Sequence, residues 1–210
     1  KTITTGEGGM AVTSDKALAD SIRLMSLHGL SHDAWGRYAK GGSWDYRIMQ
    51  PGYKYNLTDI AAAIGLQQLS RAEEMRKQRE AIAEYFLSSL ADVDEIELPP
   101  HDEDRIHSWH LFPIRLNLNS LSIDRNEFIQ ELNQNNVGTS VHWRPLHMHP
   151  LYNERLGWNE HHLPAATKRW SEIISLPIFS AMTFEEMAHV ADTVKALCSR
   201  YSVSRMAFAA

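Results

Sequence analysis

The chain has 210 residues, 43% hydrophobic and 22% charged, the balance of a chain that buries a core, at a length for one large or two small domains of roughly 100–200 residues each. Its 21 Lys and Arg stand against 26 Asp and Glu, a net charge of −5, with no long block of like charge, which disfavours a nucleic-acid or anionic-membrane partner. No apolar run reaches the roughly 18 residues of a transmembrane helix, and the opening Lys1–Gly6 stretch lacks the apolar core of a secretory signal. A single cysteine, Cys198, rules out an internal disulfide and points to a reducing compartment, the cytoplasm.

Lys1 stands directly before a glycine-rich turn and a strand, so the sequence reads as a piece of something longer. Gly6-Glu7-Gly8-Gly9 is the turn and Met10–Thr13 the short buried strand it opens. Ser14 or Asp15 caps a helix with Leu18, Ile22 and Met25 as its apolar stripe, and Gly29 stops it. Ser31 to Asn56 is a long polar and aromatic stretch with Trp35, Tyr38, Trp44, Tyr46, Tyr53 and Tyr55. Gly41-Gly42 and Pro51-Gly52 mark it as an excursion or loose hairpin, and loops of that length usually serve a function. Asn56 or Thr58 caps a second helix, Asp59 to about Ser70. A charged helix follows to about Leu90, with Met75, Ile82, Phe86 and Leu90 at helical spacing.

Pro99-Pro100 marks a boundary, after which Trp109–Leu116 reads as a strand. Asp124-x-x-Glu127 starts a helix to about Asn133, and the β-branched content of Val137–Trp143 predicts another strand. Thr183-x-x-Glu186 is a second capping box. Its helix carries Met187, Val190, Ala191, Val194, Leu197, Cys198 and Tyr201 on one stripe. The pattern is the tail of one α/β domain, residues 1–70, a connecting helix, 71–92, and a smaller α+β domain, 93–210.

Several residues have chemistry to offer, each with a plainer reading beside it. Lys1 ahead of a glycine run could form a Schiff base against a flat cofactor, since glycines admit close backbone approach; a terminal lysine is more often solvated. The Gly-x-Gly-Gly turn lacks the register of a dinucleotide fingerprint. Asn56 and Thr58, at a helix start beside Tyr53, Lys54 and Tyr55, suit an anion such as phosphate, or form an ordinary cap. His142, Trp143 and Arg144 leave a strand together and suit a phosphorylated or polyhydroxylated ligand; the plain alternative is a strand exit with Trp143 half-buried. Arg37 and Arg47 are phosphate clamps or surface residues. Among 11 histidines, His107-x-x-His110, His147-x-His149 and His161-His162 have metal-ligand spacings, but no cysteine set or His-Glu-x-x-His helix accompanies them, so no metal is expected. Cys198 reads as an inert core thiol.

Taken together, Lys1–Met10, Leu27–Leu30, Gly52–Gly65, His107–Phe112, Val141-His142 with Pro145-Leu146-His147, and Ser175–Phe179 resemble the DegT/DnrJ-type sugar aminotransferases. These are pyridoxal-phosphate enzymes of the aspartate aminotransferase-like α/β fold (fold type I), and the order and spacing fit across the chain. The resemblance implies the end of the large domain followed by the small α+β C-terminal domain. It implies that Lys1 holds pyridoxal 5'-phosphate as a Schiff base and shuttles a proton between cofactor and substrate carbons. Asn56 then reaches across a homodimer to the phosphate of the partner's cofactor. Arg37, Tyr55, His142 and His147 border the sugar-nucleotide pocket. L-glutamate donates the amino group, leaving 2-oxoglutarate, and a nucleotide-linked keto sugar accepts it, at the 4-position by resemblance to enzymes that make 4-amino sugars. Relatives that act as dehydratases carry histidine in place of the lysine, so Lys1 argues against that variant. In this family about half the chain precedes the lysine and supplies the aspartate at the pyridine nitrogen, the stacking aromatic and most phosphate ligands. The residues 1–210 alone are therefore expected to hold the cofactor poorly. The alternative is a non-catalytic module that binds a sugar nucleotide or a partner subunit.

Overall fold

The computed structural model describes residues 1–31, 47–102 and 104–203. They form two units, one of Lys1 with Ile3–Ala72, the other of Thr2 with the chain from Glu73. No described helix is long and apolar enough to cross a membrane.

In the first unit Asp15, rather than Ser14, opens α1 (Lys16–Ser26). Its carboxylate accepts the N–H groups of Ala17 and Leu18, orphan donors of the first turn. Past α1, Gly29 adopts a left-handed φ of 69°, a region glycine enters without strain. A methyl group on Gly29 would strike the Gln50 carbonyl, and one on Gly52 would strike the Gly29 nitrogen. This close passage lets residues 47–55 return antiparallel to 26–31. The His28 N–H donates to the Tyr53 carbonyl at 2.8 Å, and the Tyr55 N–H to that of Ser26 at 2.8 Å. The expected excursion thus closes at its base; Trp35, Arg37, Tyr38, Trp44 and Tyr46 lie outside the described residues. Next comes α2 (Asp59–Ser70), capped by the Thr58 hydroxyl, which accepts from the Ala61 N–H.

One expectation fails in this unit. Met10–Thr13 is neither strand nor buried: Met10 is 81% and Val12 89% exposed, and the segment joins no ladder among the described residues. β-branched character makes a strand only where a neighbouring strand takes up its N–H and C=O groups.

The second unit is built on a three-stranded antiparallel sheet of β1 (Ile96–Glu97), β2 (Phe112–Leu116) and β3 (Ile173–Leu176), with β2 central. Phe112, Ile114 and Leu116 alternate inward along β2, with Phe112 opposite Leu176 and Ile114 opposite Ile174. Against them lie α3 (Ala72–Ser89), α4 (Arg125–Gln134) and α7 (Phe184–Tyr201), in one core with Ile82, Phe86, Phe128, Leu132, Val190, Val194 and Leu197. The charged helix expected as a connector therefore sinks its apolar stripe in this core: Phe86 meets Phe112 edge-on at 5.2 Å. Both capping boxes form, Asp124 with Glu127 and Thr183 with Glu186. Two short helices, α5 (Pro150–Leu156) and α6 (Pro164–Glu172), start on proline, whose missing N–H costs nothing at a helix entry.

The strand expected from Trp109 begins only at Phe112, because Trp109 has a φ of 45°, which a strand cannot contain. The strand expected over Val137–Trp143 shrinks to one bridge, Ser140 to Ser175 on the outer edge of β3. The chain then leaves the sheet for a 3₁₀ turn, Leu146–Met148.

Candidate functional site

In the first unit the Lys1 segment runs along α2. The Thr4 N–H donates to Gln68 Oε1 at 3.2 Å, and the Thr5 methyl faces Gly65. A methyl group on Gly8 would meet the Thr5 hydroxyl and come within 3.1 Å of Leu57 Cδ1. Small residues on both sides thus bring the Lys1 strand of chain against the helix. Lys1 itself is exposed.

Since Thr58 takes the capping role, Asn56 is left two residues outside α2. Half-buried, it accepts a hydrogen bond from Lys54 Nζ and donates from Nδ2 to the Leu57 carbonyl at 3.4 Å. The mouth of α2 therefore carries a carboxamide, an ammonium and the Asp59 and Ile60 N–H groups, which have no acceptor among the described residues, with the Asp59 carboxylate in the first turn as an opposing charge. Tyr55 is exposed and stacks on Tyr53, centroids 4.9 Å apart and 5° from parallel. Arg47 is exposed and pairs through its backbone with Ser31.

A cleft in the second unit, about 340 Å³, is lined by His110, Thr139, Ser140, His142, Ser175 and Ile178, among others. The Ser175 N–H donates to the Ser140 carbonyl at 2.8 Å and its own carbonyl accepts the Ser140 N–H at 3.2 Å. Neither group then faces β2, where Pro113 is the residue opposite. A proline is tolerated there because this is the non-hydrogen-bonded kind of pair, and β1 does not extend that far. The bridge sets His142, two residues past Ser140, over the Ser175 side chain: His142 Nδ1 lies 2.9 Å from Ser175 Oγ and 3.4 Å from Ser140 Oγ.

Trp143, with half-burial as its plain reading, is 77% exposed, and it meets the His142 ring edge-on at 4.7 Å. Arg144 turns elsewhere, its guanidinium 5.2 Å above Trp170. His147 is only 2% exposed, with Nε2 2.9 Å from Thr167 Oγ1; it lines a different cleft, about 450 Å³, with Arg144, Glu154 and His161. Of the other histidines, His189 Nε2 lies 2.8 Å from the Asn135 carbonyl oxygen, and several make contacts close in sequence. His107 Nδ1 accepts the Trp109 N–H at 2.9 Å, His161 lies 3.6 Å from Glu160, and His162 pairs with Asn159. No cluster of three or more potential metal ligands occurs among the described residues.

The predicted residues thus divide: Lys1, Tyr55 and Asn56 belong to the first unit, His142 and His147 to the second, and Arg37 lies outside the described residues. Ser140 and Thr139 were not singled out beforehand. Ser175 entered only through the Ser175–Phe179 segment, because nothing in the sequence brings it near His142, 33 positions away.

Residues 1–195 match the DegT/DnrJ/EryC1/StrS aminotransferase family, and the chain belongs to that family. It is 44% identical over 199 residues to uncharacterized protein MJ1066 of Methanocaldococcus jannaschii, covering 95% of this chain and 52% of that protein. It is 39% identical over 196 residues to the spore coat polysaccharide biosynthesis protein SpsC of Bacillus subtilis, with 93% and 50% covered. Among solved structures, the PMP-form of putative sugar aminotransferase Spr1654 from Streptococcus pneumoniae superposes with a TM-score of 0.79 at 31% identity, covering 95% of this chain and 51% of that one. Aminotransferase TlmJ from Streptoalloteichus hindustanus gives 0.76 at 26% identity, with 95% and 50% covered. The α/β fold is therefore part of the fold type I architecture, and the chain spans about half the length of the curated relatives it matches.

Proposed function

We propose that residues 1–210 carry the lysine-bearing end of the large domain (1–70), a linking helix (71–92) and the small domain (93–210) of a pyridoxal-phosphate-dependent sugar aminotransferase. It would move the amino group of L-glutamate to a nucleotide-linked keto sugar, at the 4-position, for polysaccharide biosynthesis. The observation that carries this reading is the match over residues 1–195, with Thr4 and Thr5, just after Lys1, against α2 and Asn56 just ahead of that helix.

The residues present fit the cofactor. A primary amine suits its aldehyde; a carboxamide at a helix N-terminus suits its phosphate. When bound, pyridoxal phosphate supplies the electron sink for the reacting carbon. Lys1 would contribute its amine, first as the point of attachment and then as the group that moves the proton. Asn56 would donate its Nδ2 hydrogens to a phosphate oxygen across a homodimer, giving up its weak 3.4 Å bond to Leu57. Exposed Ile60, Leu66 and Leu69 on α2 support burial of this helix, either against a second copy or against the part of the relatives' length that this chain does not span. Arg37, Tyr55 and His142 would face the sugar nucleotide, with His147 shaping the turn below Arg144.

The test uses a polypeptide of the relatives' full length that carries these residues. Borohydride reduction in the presence of pyridoxal phosphate should place the label on Lys1 by peptide mapping. Label on another lysine, or none, overturns the assignment. A panel of nucleotide-linked keto sugars with L-glutamate, read by release of 2-oxoglutarate, then tests the acceptor.

A further inference from the structure

We propose that Ser175 is a positioning residue that holds the His142 imidazole in its Nε2–H tautomer, so that His142 meets the sugar nucleotide as a hydrogen-bond donor to an acceptor oxygen rather than as a base. The second half of this statement rests on the reading of His142 as a substrate-facing residue; the tautomer does not.

Ser175 is 3% exposed. Its backbone N–H and C=O are both engaged by Ser140, and Pro113, across the ladder, has no N–H to give. Among the described residues the Ser175 hydroxyl has one partner, His142 Nδ1 at 2.9 Å. Two arrangements satisfy that contact. If Nδ1 carried the proton, Ser175 would accept it and its own hydrogen would be buried without an acceptor, the costly way to leave a polar group. If Ser175 donates, the Nδ1 lone pair is used and every buried hydrogen is paired. A neutral imidazole whose Nδ1 accepts carries its proton on Nε2. The Ser140 hydroxyl, 3.4 Å from the same nitrogen, is exposed and free to turn to solvent, so it imposes no opposite demand. The Trp143 edge at 4.7 Å and 87° restricts rotation of the ring.

A single Nε2–H donor selects a ligand oxygen with lone pairs to give, such as a carbonyl, hydroxyl or phosphoryl oxygen of a sugar nucleotide.

The full chain, ¹⁵N-labelled at histidine, reads the tautomer directly by long-range ¹H–¹⁵N correlation at a pH where His142 is neutral, with no substrate present. The expected result is a single Nε2–H species; a proton on Nδ1 overturns the proposal. In Ser175→Ala the Nδ1–H species should appear beside it, and Ser175→Thr, which keeps the hydroxyl, should restore the single species. A spectrum in Ser175→Ala identical to that of the parent overturns the positioning role. In a full-length polypeptide, Ser175→Ala should raise KM for the sugar nucleotide several-fold and leave KM for L-glutamate unchanged. An unchanged sugar-nucleotide KM overturns the donor role alone, while failure of transamination altogether leaves the tautomer result standing.

Discussion

Cys198 shows how one side chain reports on its surroundings. It is buried on the core stripe of α7, and burial, with a smaller push from the charge of Glu95, moves its thiol up to about 12. An unfolded thiol ionises near about 8.5. Between those values the unfolded chain binds fewer protons than the folded one, so stability falls as pH rises through that window and is fully present below it. Urea unfolding of the parent chain from about pH 8 to about pH 11 should lose more stability than Cys198→Ala does, the difference isolating the thiol from lysines and tyrosines. Equal slopes would mean the thiol is not held neutral. Gly52 makes a different demand: an added methyl meets the Gly29 nitrogen and the His28 carbonyl carbon, both backbone and unable to rotate away. Gly52→Ala should cost at least about 1–3 kcal/mol, the usual range for overpacking, and lower the melting temperature of the first unit. At this scale the helix-start residues were legible, because a cap pattern is local; Thr58 rather than Asn56 proved to be the cap, which frees the Asn56 side chain. Ser175 was not legible as a partner of His142, 33 positions away in sequence, since only the sheet brings them together.

Helices announced themselves better than strands. The capping boxes at Asp124 and Thr183 formed with both reciprocal bonds, since every atom involved lies within four residues. Thr183→Ala should remove about 1 kcal/mol, within the 0.5–2 kcal/mol range for such caps, seen as a lower denaturant midpoint at unchanged slope. Asp124→Ala should do the same, because α4 and α7 share one core. No loss for either variant would show the caps frayed in solution. Strands depend on partners. Val137–Trp143 has the right residue types, yet β3 offers its edge only at Ser175. Met10–Thr13 has no partner among the described residues and stays irregular and exposed. β3 itself, four residues long, was missed, being too short for periodicity to declare.

The two units differ in how completely they bury themselves. The second closes on one continuous core. The first leaves Met10, Val12, Ile60 and Leu66 exposed, and none of the residues of α1 or α2 is fully buried. Apolar surface of that extent marks a face to be covered, by the part of the relatives' length that this chain does not span or by a second copy. On the proposed shared-site homodimer, Lys1→Ala and Asn56→Ala inactivate the same site from opposite subunits. Mixing the two full-length variants should restore about a quarter of parental activity, because random pairing makes half the dimers mixed and each has one intact site. No recovery, with mixed dimers shown to form, would place Lys1 and Asn56 in one subunit's site.

The amino-acid sequence by itself determined the family, α1 to α4 and α7 with their candidate caps, the apolar stripes and the candidate lysine and asparagine; α5 and α6, short and proline-led, it did not announce. Each feature it determined is written in local spacing or in motifs whose order survives without coordinates. Only the tertiary structure decided which β-rich segments found partners, that His147 is spent on Thr167 and that His142 rests on Ser175. Those outcomes depend on backbone groups competing for neighbours distant in sequence, and a hydrogen-bond partner is settled by where the chain returns, not by what it is made of.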